Sequence, residues 1–273
     1  YVLVDLFPRH DPLNPAGIVG MTRWGSCLAM ASETAARHHS GENRVLITDL
    51  SGSAPLRFNN DPELVDPFYQ EVEVPAFADL KGATFATVTV SNYNGFPVKY
   101  TRDFLFLKNR YLVSRELVEF EEGFLAEVAP VFNTQNIGPQ VGANWANTFF
   151  NRPWAWYWPQ PLKNPPYDLW VYFSPRPDCR LQVVDRTAID VRAMEVPVQV
   201  RYAWRGLTQA GQRLLFTQVF YPHKAGMQLA RSNAPGAARV ADLAGTAGAG
   251  DSIVVPAGVP FSLTNDGSGD LRL

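Results

Sequence analysis

The chain of 273 residues is short of charge, short of cysteine and without a long apolar run. Charged residues make up 18% of it, against about a quarter in ordinary globular chains. Disorder requires low hydrophobicity with high net charge; here 46% of residues are hydrophobic and the net charge is −2, so a disordered chain is excluded. The same near-neutral balance lacks the basic footprint of a nucleic-acid binder, and no nucleic-acid partner is expected. No stretch approaches the roughly 18 apolar residues of a membrane helix, so no membrane-spanning helix is expected. The opening YVLVDLF lacks the basic-then-apolar profile of a secretory signal.

The two cysteines, Cys27 and Cys179, allow one bridge at most, and neither sits in a CxxC spacing. The reading taken is two buried free thiols, with a disulfide as the alternative. A Gly-rich phosphate loop, a nucleophile elbow and a paired-carboxylate signature are all missing. The four histidines are His10, His38, His39 and His223. A zinc site wants three or four ligands converging on one point, and adjacent His38 and His39 on a helix would point about 100° apart. No metal, no cofactor and no catalytic residue is assigned on these grounds. Arg102 and Asp103 read as strand-end ion-pair partners, and Glu121-Glu122 as a charged hairpin turn.

What is present is turn chemistry and aromatic mass: 20 glycines, 22 prolines and 12% aromatic residues. At roughly 150 residues per domain the length allows one or two domains, and such a chain buries about three quarters of its unfolded surface. Trp24, Cys27, Leu28, Ala31 and Ala35 fall at helical spacing, which predicts one helix over 22–38, stopped by Gly41. Beyond it the period changes to two. The alternating ATFATVTVS at 83–91, the turn signal Asn94-Gly95, and the pair DFLFL (103–107) and YLVSRELVEF (111–120) around Lys108-Asn109-Arg110 read as strands and a hairpin. DFLFL is apolar on both faces, which places it inside a layered structure. Further strands are expected at 1–7, 124–132, 168–173, 181–184, 196–203, 214–221, 252–255 and 261–264, and a loop over 225–250. The expected fold is all-β, a multi-sheet antiparallel sandwich with one short N-terminal helix. Residues 1–45 would pack as strand, loop and helix on a sandwich formed by 46–273. The strand-like runs at both ends and the missing initiator Met predict a segment of a longer polypeptide.

The distinctive stretch is 132–161, FNTQNIGPQVGANWANTFFNRPWAWYWPQP. It sets Asn133, Gln135, Asn136 and Asn144, with Gln140 and Asn147, among Trp145, Trp154, Trp156, Tyr157 and Trp158. Amides donate and accept, which suits sugar hydroxyls, and flat rings with polar edges suit the apolar faces of pyranoses. In an extended segment Trp154, Trp156 and Trp158 project to one side, a platform about 13 Å long. The same rings would equally close one end of the sandwich, with the amides serving loop backbone. Both readings stay open at this point.

The run VKYTRDFLFLKNRYLVSRELVEF (98–120) resembles the hairpin of the heparinase II/III-like polysaccharide lyases, and RLLFTQVFYPHK (213–224) resembles the family's later strand ending in a Pro-His turn. The resemblance runs over about 85–225. It implies a supersandwich-like multi-sheet domain attached behind an N-terminal helical toroid, in enzymes that eliminate across uronic-acid linkages. The toroid, which carries the family's main Tyr and His, is absent from these residues apart from the single expected helix at 22–38, and the family's pattern of two His and an Asp does not align onto His10, His38, His39 or Asp49. The implied role is an accessory β-sandwich domain that contributes to binding an acidic, uronate-containing polysaccharide. Its implied partner is a helical domain of the same chain, and its implied location extracellular or periplasmic. The alternative is a non-catalytic extracellular structural module that associates with copies of itself.

Overall fold

A computed structural model describes residues 2–4, 16–23, 26–30, 43–56, 70–134, 139–148, 167–185, 198–224, 264–265 and 271–272. The chain divides into two compact units, residues 1–225 and 226–273. The second unit contains one described antiparallel pair, Thr264–Asn265 with Leu271–Arg272.

Among the described residues of the first unit there are three antiparallel sheets. The small one joins β1 (Val2–Val4), β2 (Ile18–Arg23) and β3 (Ser26–Met30). The large one uses β5 (Glu71–Asp79), β6 (Ala83–Ser91), β7 (Val98–Leu107), β8 (Tyr111–Phe120), β10 (Gln140–Val141), β11 (Trp145–Thr148), β12 (Tyr167–Phe173) and β15 (Arg213–Lys224). Its order is β10-β11-β12-β15-β8-β7-β6-β5. The third joins β4 (Val45–Asp49), β9 (Leu125–Thr134), β13 (Cys179–Asp185) and β14 (Val198–Leu207) in the order β13-β14-β9-β4.

Alternation decides what each strand buries. Along β7, Val98, Tyr100, Arg102 and Phe104 are buried, while Lys99 is exposed and Thr101, Asp103 and Leu105 are half-buried. Opposite them on β8 lie Phe120, Val118, Glu116 and Ser114. These inner faces pack on those of the four-stranded sheet in a single core. Phe132 of β9 meets Phe220 of β15 with ring centroids 6.0 Å apart, and Phe173 of β12 stacks on Tyr202 of β14 at 5.0 Å. The result is the all-β sandwich that the period-two patterning predicts. The turn at Asn94-Gly95 is a short 3-10 turn in which Asn92, Asn94 and Gly95 all take positive φ. In the hairpin between β7 and β8, Asn109 takes the left-handed conformation, with φ 63°, which asparagine tolerates better than most residues.

Three expectations need correction. The helix over 22–38 gives way at its start to strands, because β2 runs to Arg23, β3 starts at Ser26, and Arg23 pairs with Ser26. Gly25 would cost about 1 kcal/mol inside the expected helix. Pairing with β2 also gives β3 a backbone ladder that the helical stripe did not anticipate. Residues 31–42 lie outside the described residues. Arg102, in turn, is mid-strand and fully buried, not a strand-end ion-pair residue. Glu121-Glu122 does not close a hairpin either: β8 and β9, on either side of it, belong to different sheets.

The core is threaded by polar side chains. Arg102 donates to Ser114 Oγ at 2.8 Å, to the carbonyls of Ala16 at 2.7 Å and Asn43 at 2.8 Å, and pairs with Glu116. Asn43 donates to Ile18 O at 2.9 Å and accepts from the amide of Asn133 at 2.7 Å. Together these bonds tie the residues preceding β2 and β4 to both large sheets.

Candidate functional site

The side of the eight-stranded sheet turned away from this core carries the site. On β12 (YDLWVYF) Leu169, Val171 and Phe173 enter the core, so Asp168, Trp170 and Tyr172 take the other face. Register then places Asn147 of β11 and Tyr221 of β15 on either side of Trp170, Trp145 and Val219 on either side of Tyr172, and His223 opposite Asp168. Trp145 and Trp170 meet edge-on with centroids 6.3 Å apart, and Trp170 and Tyr172 at 6.1 Å. Trp145 is half-buried; Trp170, Tyr172, Tyr221, His223, Asp168 and Asn147 are buried.

Asn144 and Gly142 set the position of Trp145. Asn144 exchanges bonds with Phe173: its carbonyl accepts from the Phe173 amide at 2.8 Å, and its side-chain Nδ2 donates to the Phe173 carbonyl at 2.7 Å. A Cβ on Gly142 would stand 2.2 Å from Trp145 Nε1. Only glycine leaves room for the indole folded back over it.

Two polar atoms in this cluster are buried without a hydrogen-bond partner, Trp170 Nε1 and Asn144 Oδ1. One is a donor and the other an acceptor. Burying either unpaired costs about 1–3 kcal/mol. Burial pushes the Tyr172 phenol above its ordinary pKa, with the Asn144 amide opposing the shift. Further along the same face, on β8, Arg115 pairs with Asp103 at 3.3 Å, and Asp103 accepts from Thr87 Oγ1 at 2.7 Å. Arg115 lies opposite Thr217 of β15, so it stands two strand spacings, about 10 Å, from β12.

His223 has Nε2 2.8 Å from Asn147 Oδ1 and Nδ1 3.0 Å from the carbonyl oxygen of Lys224. Among the described residues no group of three or more His, Cys, Asp or Glu converges on a common point. Cys179 is a buried free thiol.

Of the residues singled out in the sequence, Trp145 and Asn144 come together at this face. Asn133 does not join them: it is fully buried on β9 in the other large sheet, where its Oδ1 accepts from Gln199 at 2.9 Å. Gln135, Asn136, Trp154, Trp156, Tyr157 and Trp158 lie outside the described residues, as do His10, His38 and His39. The residues that sequence reasoning passed over are Asp168, Trp170, Tyr172 and Tyr221. For Asp168, Trp170 and Tyr172 the signal was the alternation within YDLWVYF; Tyr221 lies on β15, within RLLFTQVFYPHK.

No protein-family model matches the chain, and no curated protein matches it in sequence. Solved structures do. A heparinase III matches with a TM-score of 0.55 at 11% identity, over 79% of this chain and 30% of that one. Heparan sulfate lyase from Pedobacter heparinus matches with a TM-score of 0.50 at 9% identity, over 78% of this chain and 31% of that one. At such identities the likeness is one of fold. The chain spans about a third of the length of these structures.

Proposed function

We propose that this chain is a glycan-binding β-sandwich domain related to polysaccharide lyases, and that it holds an acidic, uronate-containing polysaccharide on the outer face of its eight-stranded sheet. The observation that carries this reading is the conjunction of Trp145, Trp170 and Tyr172 with the unpartnered donor Trp170 Nε1 and acceptor Asn144 Oδ1. Trp145, half-buried at the edge of the cluster, offers the exposed part of its ring as apolar contact to a pyranose. The fold shared with heparinase III and heparan sulfate lyase supports the acidic class, as does the Trp-rich sequence that continues from β11. In this reading the eliminating residues belong to a helical domain of a longer polypeptide, outside the cell or in a periplasm.

The test is affinity electrophoresis or calorimetry of the intact chain with heparan sulfate and, for comparison, a neutral glucan. Binding to the uronate polymer is expected, weakened about tenfold or more by Trp145→Ala, in line with an aromatic anchor. Equal affinity in Trp145→Ala and the parent, with the fold retained, rules the face out.

A second reading, a self-associating structural module, is favoured by edge strand β5. Phe77 is 68% exposed there and Leu80, just beyond it, 65%, and an exposed apolar edge invites pairing with another chain. A sedimentation series would show mass rising with concentration if that reading holds.

A further inference from the structure

His223 sits near the end of β15, 3% exposed, with an oxygen atom at hydrogen-bonding distance from each ring nitrogen. A backbone carbonyl only accepts. Nδ1 therefore carries a proton and donates to Lys224. A neutral ring then presents a bare lone pair at Nε2, which repels the Oδ1 lone pairs of Asn147 2.8 Å away. Two arrangements resolve the conflict. A proton on Nε2 gives an imidazolium that donates to both oxygens. Alternatively, a half-turn of the Asn147 amide brings its NH₂ to the ring and sends Oδ1 to the opposite side.

We propose that protonation of His223 decides which way the Asn147 amide faces, so that one buried histidine exchanges a hydrogen-bond acceptor for donors on the outer face of the sheet beside Trp170. Burial drives the ring toward the neutral form, while the Lys224 carbonyl and Asp168 draw it toward the charged one. Among the described residues the surroundings are few. Asp168 of β12 is the charged side chain opposite the ring, Asn147 approaches uncharged from β11, and Lys224 on the same strand offers its carbonyl while remaining exposed. Above the transition the face presents Asn147 Oδ1, an acceptor for a sugar hydroxyl. Below it the face presents the amide NH₂ near a positive ring, an arrangement suited to a carboxylate. That binding consequence rests on the glycan reading; the switch itself does not.

The experiment is a nuclear magnetic resonance titration of the intact chain from about pH 8 to about pH 4.5, across the ordinary histidine range. It follows the His223 ring protons and the Asn147 side-chain NH₂ pair together. Both sets of signals are expected to move with one midpoint, below the usual histidine value. In His223→Gln the Asn147 signals are expected to lose that midpoint. In Asn147→Asp the ring faces a carboxylate, and its midpoint is expected to rise by about 1–3 units. That second variant decides the matter if His223→Gln does not fold. Asn147 signals that stay still while His223 titrates overturn the proposal. So does a ring that never titrates in the folded chain, or an unmoved midpoint in Asn147→Asp. Heparan sulfate affinity measured over the same range separates the two ideas: moving amide signals without binding at any pH support the switch and count against the glycan reading.

Discussion

Arg102 and Glu116 face each other across the β7–β8 ladder, both fully buried, with Arg102 Nη2 3.0 Å from Glu116 Oε1. Desolvation raises the Glu116 pKa, while Arg102 and Ser114 hold it down. Gln218 of β15 donates to the same Oε1 at 2.7 Å. Taking two charges out of water is costly; Ser114 and Gln218 donate to Glu116 Oε1, and Arg102 donates to Ser114 and to two carbonyls, while Glu116 Oε2 has no hydrogen-bond partner among the described residues. Glu116→Leu leaves the guanidinium uncompensated and is expected to cost about 3–5 kcal/mol. The double replacement Arg102→Met with Glu116→Leu is expected to recover much of that loss. Urea unfolding of the three proteins measures both; a single variant as stable as the parent would refute the account.

His223 gives stability a defined pH dependence. Its folded pKa lies below the ordinary histidine value because burial disfavours the charged ring. Between that value and about pH 6.5, the unfolded chain binds a proton that the folded chain does not. This contribution to stability is therefore complete above the ordinary histidine pKa and lost as the pH falls toward the folded value. Urea midpoints taken through this window are expected to fall with acidification, and more gently in His223→Gln. Parallel curves for the two proteins would show that His223 contributes nothing.

Cys179 is expected to be inert. Desolvation pushes its thiol up to about 11, against the opposing pull of Arg176, and the reactive species is the thiolate. Alkylation at about pH 8, followed by intact-mass spectrometry, should leave Cys179 unmodified in the native chain and modify it once the chain is denatured. Rapid native labelling at this position would contradict the burial of the thiol.

Gly142→Ala tests the seat of Trp145. The added Cβ would collide with the indole, 2.2 Å from Nε1 and 2.5 Å from Cε2, so the ring must swing away while β11 keeps its pairing to β12. The expected result is a shifted tryptophan emission, glycan affinity reduced like that of Trp145→Ala, and a loss of stability of about 1–3 kcal/mol from the forced repacking. An unchanged emission spectrum would mean that the two groups do not meet.

Much of the sandwich is legible in the residue pattern because a strand with one buried face declares itself every second residue. The hairpin of β7 and β8, the turn at Asn94-Gly95 and the strands at β9, β12 and β15 all follow from local alternation and turn chemistry. The segment after Thr22 misleads for a physical reason. Cys27, Leu28 and Ala31 satisfy a helical stripe and SCLAM satisfies a strand, and short apolar runs carry both periods. Pairing between β2 and β3 decides the matter, and pairing is a property of the folded chain.

For the candidate site, the sequence determines an amide- and aromatic-rich segment that includes Trp145 and Asn144. It also fixes that Asp168, Trp170 and Tyr172 share one side of a strand. Only the tertiary structure decides that β11, β12 and β15 are neighbours, since β12 and β15 are separated by about 40 residues of chain and loop closure over such lengths leaves no local trace. It is that adjacency which brings His223 to Asn147 and sets Trp170 beside Tyr221, while the pairing of β9 with β14 and β4 places Asn133 in the other sheet. Likewise Arg102 reads as an ordinary charged residue in sequence. It becomes the centre of the core because the carbonyls of Ala16 and Asn43, distant along the chain, come within reach of its guanidinium.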